Sequence, residues 1–199
     1  MKLSIIGASG HGKVVADIAE KNGYDQIEFF DDDAELDHCG KWPVVGTVNK
    51  ALDNENDLFI AIGKAEIRES LMDCFKNRHF PTLIHPSAIV ADDVIIGEGS
   101  VVMAGAVINP GSRIGCGVII NTCSSVDHDC VINDFVHISV GAHLSGTVNV
   151  GKGTWIAVGA SIVNNVDICP GCVIGSGAVV IKSIQEAGTY VGVPARKIK

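Results

Sequence analysis

An aliphatic residue recurs at every sixth position of this sequence, without a break, from Ile84 to Val180. A period of six fits neither one face of an α-helix nor a coiled-coil heptad, and it is typical of a β-helix built from hexapeptide repeats. Because a solenoid buries its apolar face only by stacking neighbouring repeats, a phase held over seventeen hexads predicts one continuous parallel β-helix. The aliphatic positions are Ile84, Val90, Ile96, Val102, Ile108, Ile114, Ile120, Val126, Ile132, Ile138, Leu144, Val150, Ile156, Ile162, Ile168, Ile174 and Val180.

A small or β-branched residue lies four positions after each of these aliphatic residues, as Ala106 follows Val102 and Ala142 follows Ile138. We expect three hexads to form one triangular coil, in which the first positions point to the axis and the fifth positions lie near the corners. Glycine falls at the second or fourth position of many hexads, where turns between the sides need unusual backbone angles. The seventeen hexads therefore predict nearly six coils.

The overall composition excludes several classes of partner. The net charge is −8 and no basic run is present, which argues against a nucleic acid or an anionic membrane as a partner. No apolar stretch approaches the ~20 residues that span a bilayer, and we expect neither a signal segment nor membrane insertion. The seven cysteines are an odd number, and Cys130 and Cys172 fall at fifth positions of hexads. They predict reduced thiols in a cytoplasmic protein.

The first eighty residues have a different pattern, in which strands alternate with helices. Strands are predicted at 2–6, 27–30 and 58–62, and helices after the first strand and at 66–77. This alternation predicts a small, Rossmann-like parallel sheet in an α/β domain at 1–80, followed by the β-helix domain at 81–199. The helix residues expected to face the core are Val14, Val15, Ile18 and Ala19 in the first helix, and Ile67, Leu71, Met72 and Phe75 in the second.

A glycine-rich turn joins the first strand to the first helix, with the sequence Gly7-Ala8-Ser9-Gly10-His11-Gly12. Backbone N–H groups at such a turn and helix start attract phosphate. Acidic residues, Asp31 and Asp32, end the next strand about 20 positions on, where they suit a ribose or a base. The glycine spacing differs from the dinucleotide fingerprint, and the domain is short, so we expect a mononucleotide or a nucleotide-sugar. Asp33 is expected in a solvated turn or at a divalent ion instead.

Three histidines cluster in the β-helix segment. His128 lies between Asp127 and Asp129, His137 follows nine residues later and His143 six residues after that. A carboxylate beside an imidazole raises its basicity, so His128 is a candidate general base supported by either aspartate. Nine residues are half a coil, which places His128 and His137 on different sides of one prism. They could meet between neighbouring prisms, and a closed ring of three identical chains would create such clefts.

Six stretches spread over the whole chain match a known family. They are Gly7-Ala8-Ser9-Gly10-His11-Gly12, Phe30-Asp31-Asp32, Ile60-Ala61-Ile62-Gly63, Asn121-Thr122-Cys123-Ser124-Ser125-Val126-Asp127-His128-Asp129-Cys130, His137-Ile138-Ser139-Val140-Gly141-Ala142 and Val191-Gly192-Val193-Pro194-Ala195-Arg196. With these motifs the chain resembles the hexapeptide-repeat nucleotide-sugar acetyltransferases. That family includes the N-acetyltransferases of UDP-4-amino sugars in the bacillosamine pathway and the sialic-acid O-acetyltransferases.

The resemblance implies a left-handed β-helix, a homotrimer, acetyl-CoA as co-substrate and no metal. His128 would take a proton from the 4-amino group of a nucleotide-linked sugar, with UDP expected, and Asp129 would orient it. The family often has Glu after the base, so the shorter Asp129 leaves Asp127 as an alternative support. The resemblance assigns the acetyl group or acetyl-CoA to His137, Gly146, Val158 and Ser176, and the nucleotide-sugar to Ser9, Gly10, His11, Asp31, Asp32, Gly63 and Glu66.

Three other functions remain open at this point. The same scaffold could O-acetylate a sialic acid or another sugar. Trimeric β-helices also host carbonic-anhydrase-like zinc sites, and His128, His137 and His143 are residue types that suit zinc. The third alternative is a regulator that binds a nucleotide-sugar without catalysis.

Overall fold

A computed structural model describes residues 1–199, and the N-terminal part of the chain forms a five-stranded sheet with two α-helices. The strand order is β3-β4-β2-β1-β5, and all neighbours are parallel except the edge pair β3 and β4. The elements are β1 (Lys2–Ile6), α1 (Gly10–Lys21), β2 (Gln26–Phe30), β3 (His38–Cys39), β4 (Trp42–Gly46), a 3₁₀ helix (Val48–Asp53), β5 (Asp57–Ile60) and α2 (Ala65–Cys74).

Strand β1 lies in the middle of this sheet, with β2 on one side and β5 on the other. The strand order therefore reverses its direction between β1 and β5, and the carboxyl ends of β1, β2 and β5 face one crevice. Such a switch point is where open parallel sheets bind ligands. The predicted parallel sheet is confirmed. The strands β3 and β4 and the 3₁₀ helix were not predicted, because residues 38–53 carry little apolar alternation.

The second part of the chain is a parallel β-helix of two-residue strands, each paired with the strand one coil further on. Val107 pairs with Ser125 and Ile119 with His137, so one coil contains the eighteen residues that three hexads predict. The strands are β6 (Leu83–Ile84), β7 (Ile89–Val90), β8 (Ile95–Ile96), β9 (Val101–Val102), β10 (Val107–Ile108), β11 (Arg113–Ile114), β12 (Ile119–Ile120), β13 (Ser125–Val126), β14 (Val131–Ile132), β15 (His137–Ile138), β16 (His143–Leu144), β17 (Asn149–Val150), β18 (Trp155–Ile156), β19 (Ser161–Ile162), β20 (Asp167–Ile168), β21 (Val173–Ile174), β22 (Val179–Val180), β23 (Thr189–Val191) and β24 (Arg196–Lys197).

The strands make three sides. Side 1 contains β6, β9, β12, β15, β18 and β21 and is extended by β23 and β24 near the C-terminus. Side 2 contains β7, β10, β13, β16, β19 and β22, and side 3 contains β8, β11, β14, β17 and β20. The chain passes from side 1 to side 2 to side 3 in every coil.

The interior of the β-helix is filled as the hexads predict. First-position residues such as Ile108, Ile138 and Ile174 are fully buried, and so are the fifth-position residues Ala106 and Ala142. Hydroxyl groups at buried fifth positions bond to backbone carbonyl oxygens, so they leave no unsatisfied polar group. The unbroken hexad phase is therefore the physical cause of the unbroken coil.

The N-terminal part packs on side 1 through α1, which contacts β6 and whose C-terminal cap, Asn22, bonds to the backbone of Ile84. Leu83, Val101 and Ile119 project outward from side 1 and belong to the same apolar cluster as Leu3 and Phe29 of the sheet. The two parts thus share a core, and the division at residue 80 into domains 1–80 and 81–199 stays a prediction.

Two expectations about helix faces are wrong. Val14 is 42% exposed and Ile67 is 43% exposed, although both were expected to face the core. In α2 the buried positions are Met72 and, unexpectedly, Arg68. The helix packs on the β-helix as well as on its own sheet, so a single apolar face does not describe its surroundings.

Candidate active site

His128 lies on the turn between side 2 and side 3, directly after β13, and it forms a pair with the next residue. Its Nδ1 is 2.8 Å from Asp129 Oδ2, and both side chains are more than half exposed. A carboxylate only accepts, so Nδ1 carries the proton and Nε2 keeps a free lone pair. The hydrogen bond to Asp129 raises the pKa of His128 above its ordinary value, as do the charges of Asp127 and Asp129. An imidazole in this state is a good proton acceptor.

Asp127 has a different role in the same turn. Its Oδ1 accepts hydrogen bonds from Asn109 Nδ2 at 2.7 Å and from the backbone N–H of His128 at 2.8 Å. The bond from Asn109 is the main reason that the pKa of Asp127 is lowered. Asp127 therefore fixes the backbone of the turn, while Asp129, although one methylene shorter than Glu, reaches the imidazole.

Gly146 lies one coil above His128 and faces its ring. A Cβ built on Gly146 would overlap Nε2 and Cε1 of His128, so only glycine leaves room for the imidazole. The neighbouring backbone is anchored, since the Thr147 N–H donates to the His128 carbonyl at 2.9 Å. The Gly146 N–H donates to no group of the chain, and the residue itself lies beside the free imidazole nitrogen.

His137 lies on side 1, in the middle of β15, and not beside His128. It is half-buried and stacks on Trp155 with ring centroids 6.3 Å apart, and Asn121 Nδ2 lies 3.2 Å from its Nε2. Burial lowers the pKa of His137 to about 3, with smaller contributions from the charges of His11 and Arg68. This histidine is therefore neutral at physiological pH and suited to hydrogen bonding rather than to proton uptake.

A cavity of about 290 Å³ opens between α2 and side 1. One wall is the segment Gly63–Glu66, which leads into α2, and the other contains His137 and Trp155. We call this cavity the interdomain groove. Gly63 and Glu66, which were expected to hold the nucleotide-sugar, line this groove together with His137.

The glycine turn lies at the carboxyl end of β1, in the crevice described above. At Gly12 a Cβ would lie 2.9 Å from Phe29 Cε1 and would also overlap the Gly7 carbonyl, which explains the glycine at this position. His11 in this turn has a buried Nε2 without a hydrogen-bond partner, and burial lowers its pKa to about 4. Ser9 and Gly10 are exposed at the start of α1.

The acidic strand end supports the glycine turn. Asp31 accepts hydrogen bonds from the N–H groups of Ala8 at 2.7 Å and Asp33 at 3.0 Å, and Asp32 accepts one from Val48 at 3.0 Å. A cavity of about 230 Å³ adjoins Asp31 on the side of β4. Both aspartates therefore shape the crevice through the backbone, which the sequence did not indicate.

The remaining predicted residues lie elsewhere on the prism. Val158 and Ser176 are exposed on successive coils at the corner between sides 1 and 2, one corner away from His128 and Gly146. His143 lies on side 2, where its Nδ1 is 2.9 Å from Ser125 Oγ. A single chain thus pairs His128 with Gly146 and His137 with the interdomain groove, but it does not bring the two sets together.

Sequence reasoning missed Asn109, Trp155 and Arg68. Asn109 lies one coil below Asp127, and Trp155 one coil above His137, so the eighteen-residue register could have indicated both. Arg68 gave no such signal, because its neighbours in space are turns of the β-helix.

No three histidine, cysteine or acidic side chains of the chain are grouped as metal ligands. His128 lies on the corner between sides 2 and 3, His137 lies on side 1 and His143 lies on side 2. Neither α-helix is long and apolar enough to cross a membrane.

Known proteins share both halves of this architecture. Residues 2–75 match the family described as the PglD N-terminal domain. The chain is 38% identical over 110 residues to the UDP-N-acetylbacillosamine N-acetyltransferase of Bacillus subtilis. This match covers 51% of this chain and 51% of that relative, which is about half the length of each.

Two solved structures match almost the whole chain. The acetyltransferase domain of PglB from Neisseria gonorrhoeae, in complex with acetyl coenzyme A, is 41% identical with a TM-score of 0.96, over 99% of this chain and 98% of that one. A histidine-to-asparagine variant of perosamine N-acetyltransferase from Caulobacter crescentus, in complex with CoA and GDP-perosamine, is 33% identical with a TM-score of 0.94. That match covers 100% of this chain and 97% of the other. These matches confirm the α/β domain followed by a left-handed parallel β-helix. The chain belongs to the family of acetyl-CoA-dependent, hexapeptide-repeat sugar acetyltransferases.

Proposed function

We propose that this protein transfers the acetyl group of acetyl-CoA to the 4-amino group of an amino-deoxy sugar carried by a nucleoside diphosphate, with UDP as the nucleotide. The observation that carries the proposal is the His128–Asp129 pair, whose free Nε2 lies beside Gly146, a residue with an unpaired N–H. The relatives support the reaction class, since their names specify N-acetyltransferases of amino sugars.

His128 acts as the general base. An amine must be neutral to attack a thioester, and the raised pKa of His128 suits it to take the proton of the sugar ammonium or of the tetrahedral intermediate. Asp129 holds Nδ1–H and stabilises the imidazolium that forms. The amine nitrogen then forms the new C–N bond, the C–S bond breaks, and the thiolate leaves with the proton that His128 returns. No covalent enzyme intermediate is needed.

The Gly146 N–H stabilises the oxyanion that develops on the thioester carbonyl. A preorganised backbone donor costs no reorganisation during the reaction, and such donors supply a large part of catalysis. The Gly146 N–H meets two requirements for this role: it has no partner in the chain, and it lies on the turn that also faces His128.

The acceptor lies in the crevice and the interdomain groove. The glycine turn and the start of α1 offer N–H groups to the diphosphate, and the buried, unpartnered Nε2 of His11 offers one more polar contact. The cavity beside Asp31 takes the base. The sugar then extends toward the neutral His137 on side 1.

The complete site requires a second copy of the chain. His128 and Gly146 occupy one corner, whereas His137, the interdomain groove and the corner of Val158 and Ser176 lie on other parts of the prism. A homotrimer of parallel prisms places one chain's His128 opposite its neighbour's groove, with acetyl-CoA between them. All seven cysteines are free thiols, which supports a cytoplasmic setting for the reaction.

An assay of thiol release from acetyl-CoA tests this function. We expect rapid release with a UDP-linked 4-amino sugar, slower release with the GDP-linked sugar, and none with the matched 4-hydroxy sugar, because only the amine is a sufficient nucleophile. Release with a sialic acid but with no amino sugar would instead support O-acetylation. Absence of release with every acceptor, in protein that nucleotides protect against thermal unfolding, would support a regulator.

A further inference from the structure

Arg68 is a buried arginine that joins the two parts of the molecule. It lies in the middle of α2 and is 1% exposed. Its Nη1 donates to the carbonyl oxygens of Ile62 at 2.7 Å and Gly63 at 3.0 Å, in the segment that leads into α2. Its Nε donates to the Gly117 carbonyl at 2.6 Å and its Nη2 to the Phe135 carbonyl at 2.7 Å, both on the β-helix.

The charge of Arg68 has no carboxylate partner. All four hydrogen bonds go to backbone oxygens, and burial lowers the pKa of Arg68 only to about 10, so the side chain remains charged at neutral pH. A buried charge is costly to desolvate, and apolar residues of similar volume often replace buried ionic groups without loss of stability. Arg68 offsets that cost by satisfying four carbonyl groups at once, so its position is fixed by where those groups lie.

Helix α2 follows the corner of the β-helix between sides 3 and 1. A Cβ on Gly117 would lie 3.1 Å from Met72 Sδ, and one on Gly153 would lie 3.8 Å from Ala65 Cβ, so the helix lies directly on successive turns of the corner. These apolar contacts hold α2 close to the corner. Such apolar contacts would still allow α2 to slide a short way along the corner. The planar guanidinium of Arg68 bonds to four carbonyl groups at once and therefore fits only one position of the helix.

Two of the four carbonyl groups, those of Gly63 and Phe135, belong to residues on opposite walls of the interdomain groove. Gly63 begins the wall that leads into α2, and Phe135 lies two residues before His137 on the opposite wall. One rigid guanidinium thus sets the distance between the walls. Its charge also contributes, after burial and His11, to the low pKa that keeps His137 neutral.

We propose that Arg68 is a positioning residue for the acceptor, which holds the Gly63–Glu66 wall of the interdomain groove at the correct distance and register from His137. The inference rests on the proposed function, because it takes the groove to be the acceptor site. It deepens that function by assigning acceptor affinity to a residue that does not contact the acceptor.

The test compares three variants in steady-state kinetics. Arg68→Met removes the fork and the charge, and Arg68→Lys keeps the charge but cannot reach four carbonyl groups. Arg78→Met is the matched control, since Arg78 also donates to backbone, at the Ala51 carbonyl, but only within the N-terminal part. We expect both Arg68 variants to raise the KM of the nucleotide-sugar about tenfold or more and to change the KM of acetyl-CoA less than about twofold. Arg78→Met should leave both values near wild type.

Two results would overturn the inference. One is a folded Arg68→Met protein with the wild-type KM for the acceptor, and the other is full rescue by Arg68→Lys, which would assign the effect to charge alone. A second measurement does not depend on turnover: amide hydrogen exchange of residues 68–72, whose N–H groups are bonded within α2, should accelerate in both Arg68 variants and not in Arg78→Met. If wild-type protein acetylates nothing, the proposed function fails, and unchanged exchange at 68–72 separately excludes the positioning role.

Discussion

Replacing His128 with Ala is expected to lower kcat about 10²–10⁴-fold, the usual contribution of a general base. The affinity for acetyl-CoA should change little, because the imidazole faces the acceptor amine and not the nucleotide of the coenzyme. Steady-state kinetics with the preferred amino sugar measure both quantities. His143→Ala is the matched control, since His143 is an exposed histidine of the same β-helix that pairs with Ser125 and lies outside the proposed site.

The pH dependence gives an independent check on this assignment. A base works only when it is neutral, so kcat/KM should rise with pH through the pKa of His128, which its bond to Asp129 raises above 6.5. The limb that belongs to His128 should therefore lie above pH 6.5 in wild type and be absent from His128→Ala, which keeps only the titration of the sugar ammonium. Wild-type turnover in that variant would refute the assignment, and an equal loss in His143→Ala would favour a site that contains all three histidines.

Replacing Gly146 with Ala is expected to lower kcat about 10²-fold or more, because misplacing a reacting group by about 1 Å has an effect of that size. The new Cβ would overlap the His128 ring, which must then swing away from its position beside Gly146. Fold and assembly should persist, since the anchoring bond from the Thr147 N–H to His128 lies on the backbone. Kinetics, together with the melting temperature, measure the effect.

A double-mutant cycle separates this mechanism from a general disturbance of the turn. If Gly146→Ala acts by displacing the imidazole, adding it to His128→Ala should cost little more than His128→Ala alone. Additive losses would mean that the substitution damages something other than the placement of His128.

Much of the fold follows from the sequence because its cause is local and repeated. Each hexad places one aliphatic residue inward, and seventeen in phase leave no other winding that buries them all. The same register could have predicted that Asn109 bonds to Asp127. The half coil between His128 and His137 also predicted that the two histidines lie on different sides of the prism. In the structure, His128 lies on the corner between sides 2 and 3 and His137 lies on side 1.

The rest depended on contacts between segments that are distant in sequence. The burial of Arg68 follows only from the packing of α2 against Gly117 and Phe135, which lie far away in sequence. The hydrogen bond from the Ala8 N–H to Asp31 likewise joins two strand ends that are distant in sequence, and the role of Asp31 toward the nucleotide stays a prediction. Whether Asp127 or Asp129 supports the base depended on side-chain contacts: Asp129 bonds to the imidazole, whereas Asp127 is held by Asn109.

The central claim is that a cleft between two chains joins His128 of one subunit to the acceptor groove of its neighbour. Mixing two defective variants, His128→Ala and His137→Ala, tests it most directly. If the subunits exchange randomly within trimers, about a quarter of the clefts pair an intact His128 with an intact His137, so activity should recover to about a quarter of wild type. Activity that stays at the level of the two parent variants, in trimers shown to contain both kinds of subunit, would contradict the account.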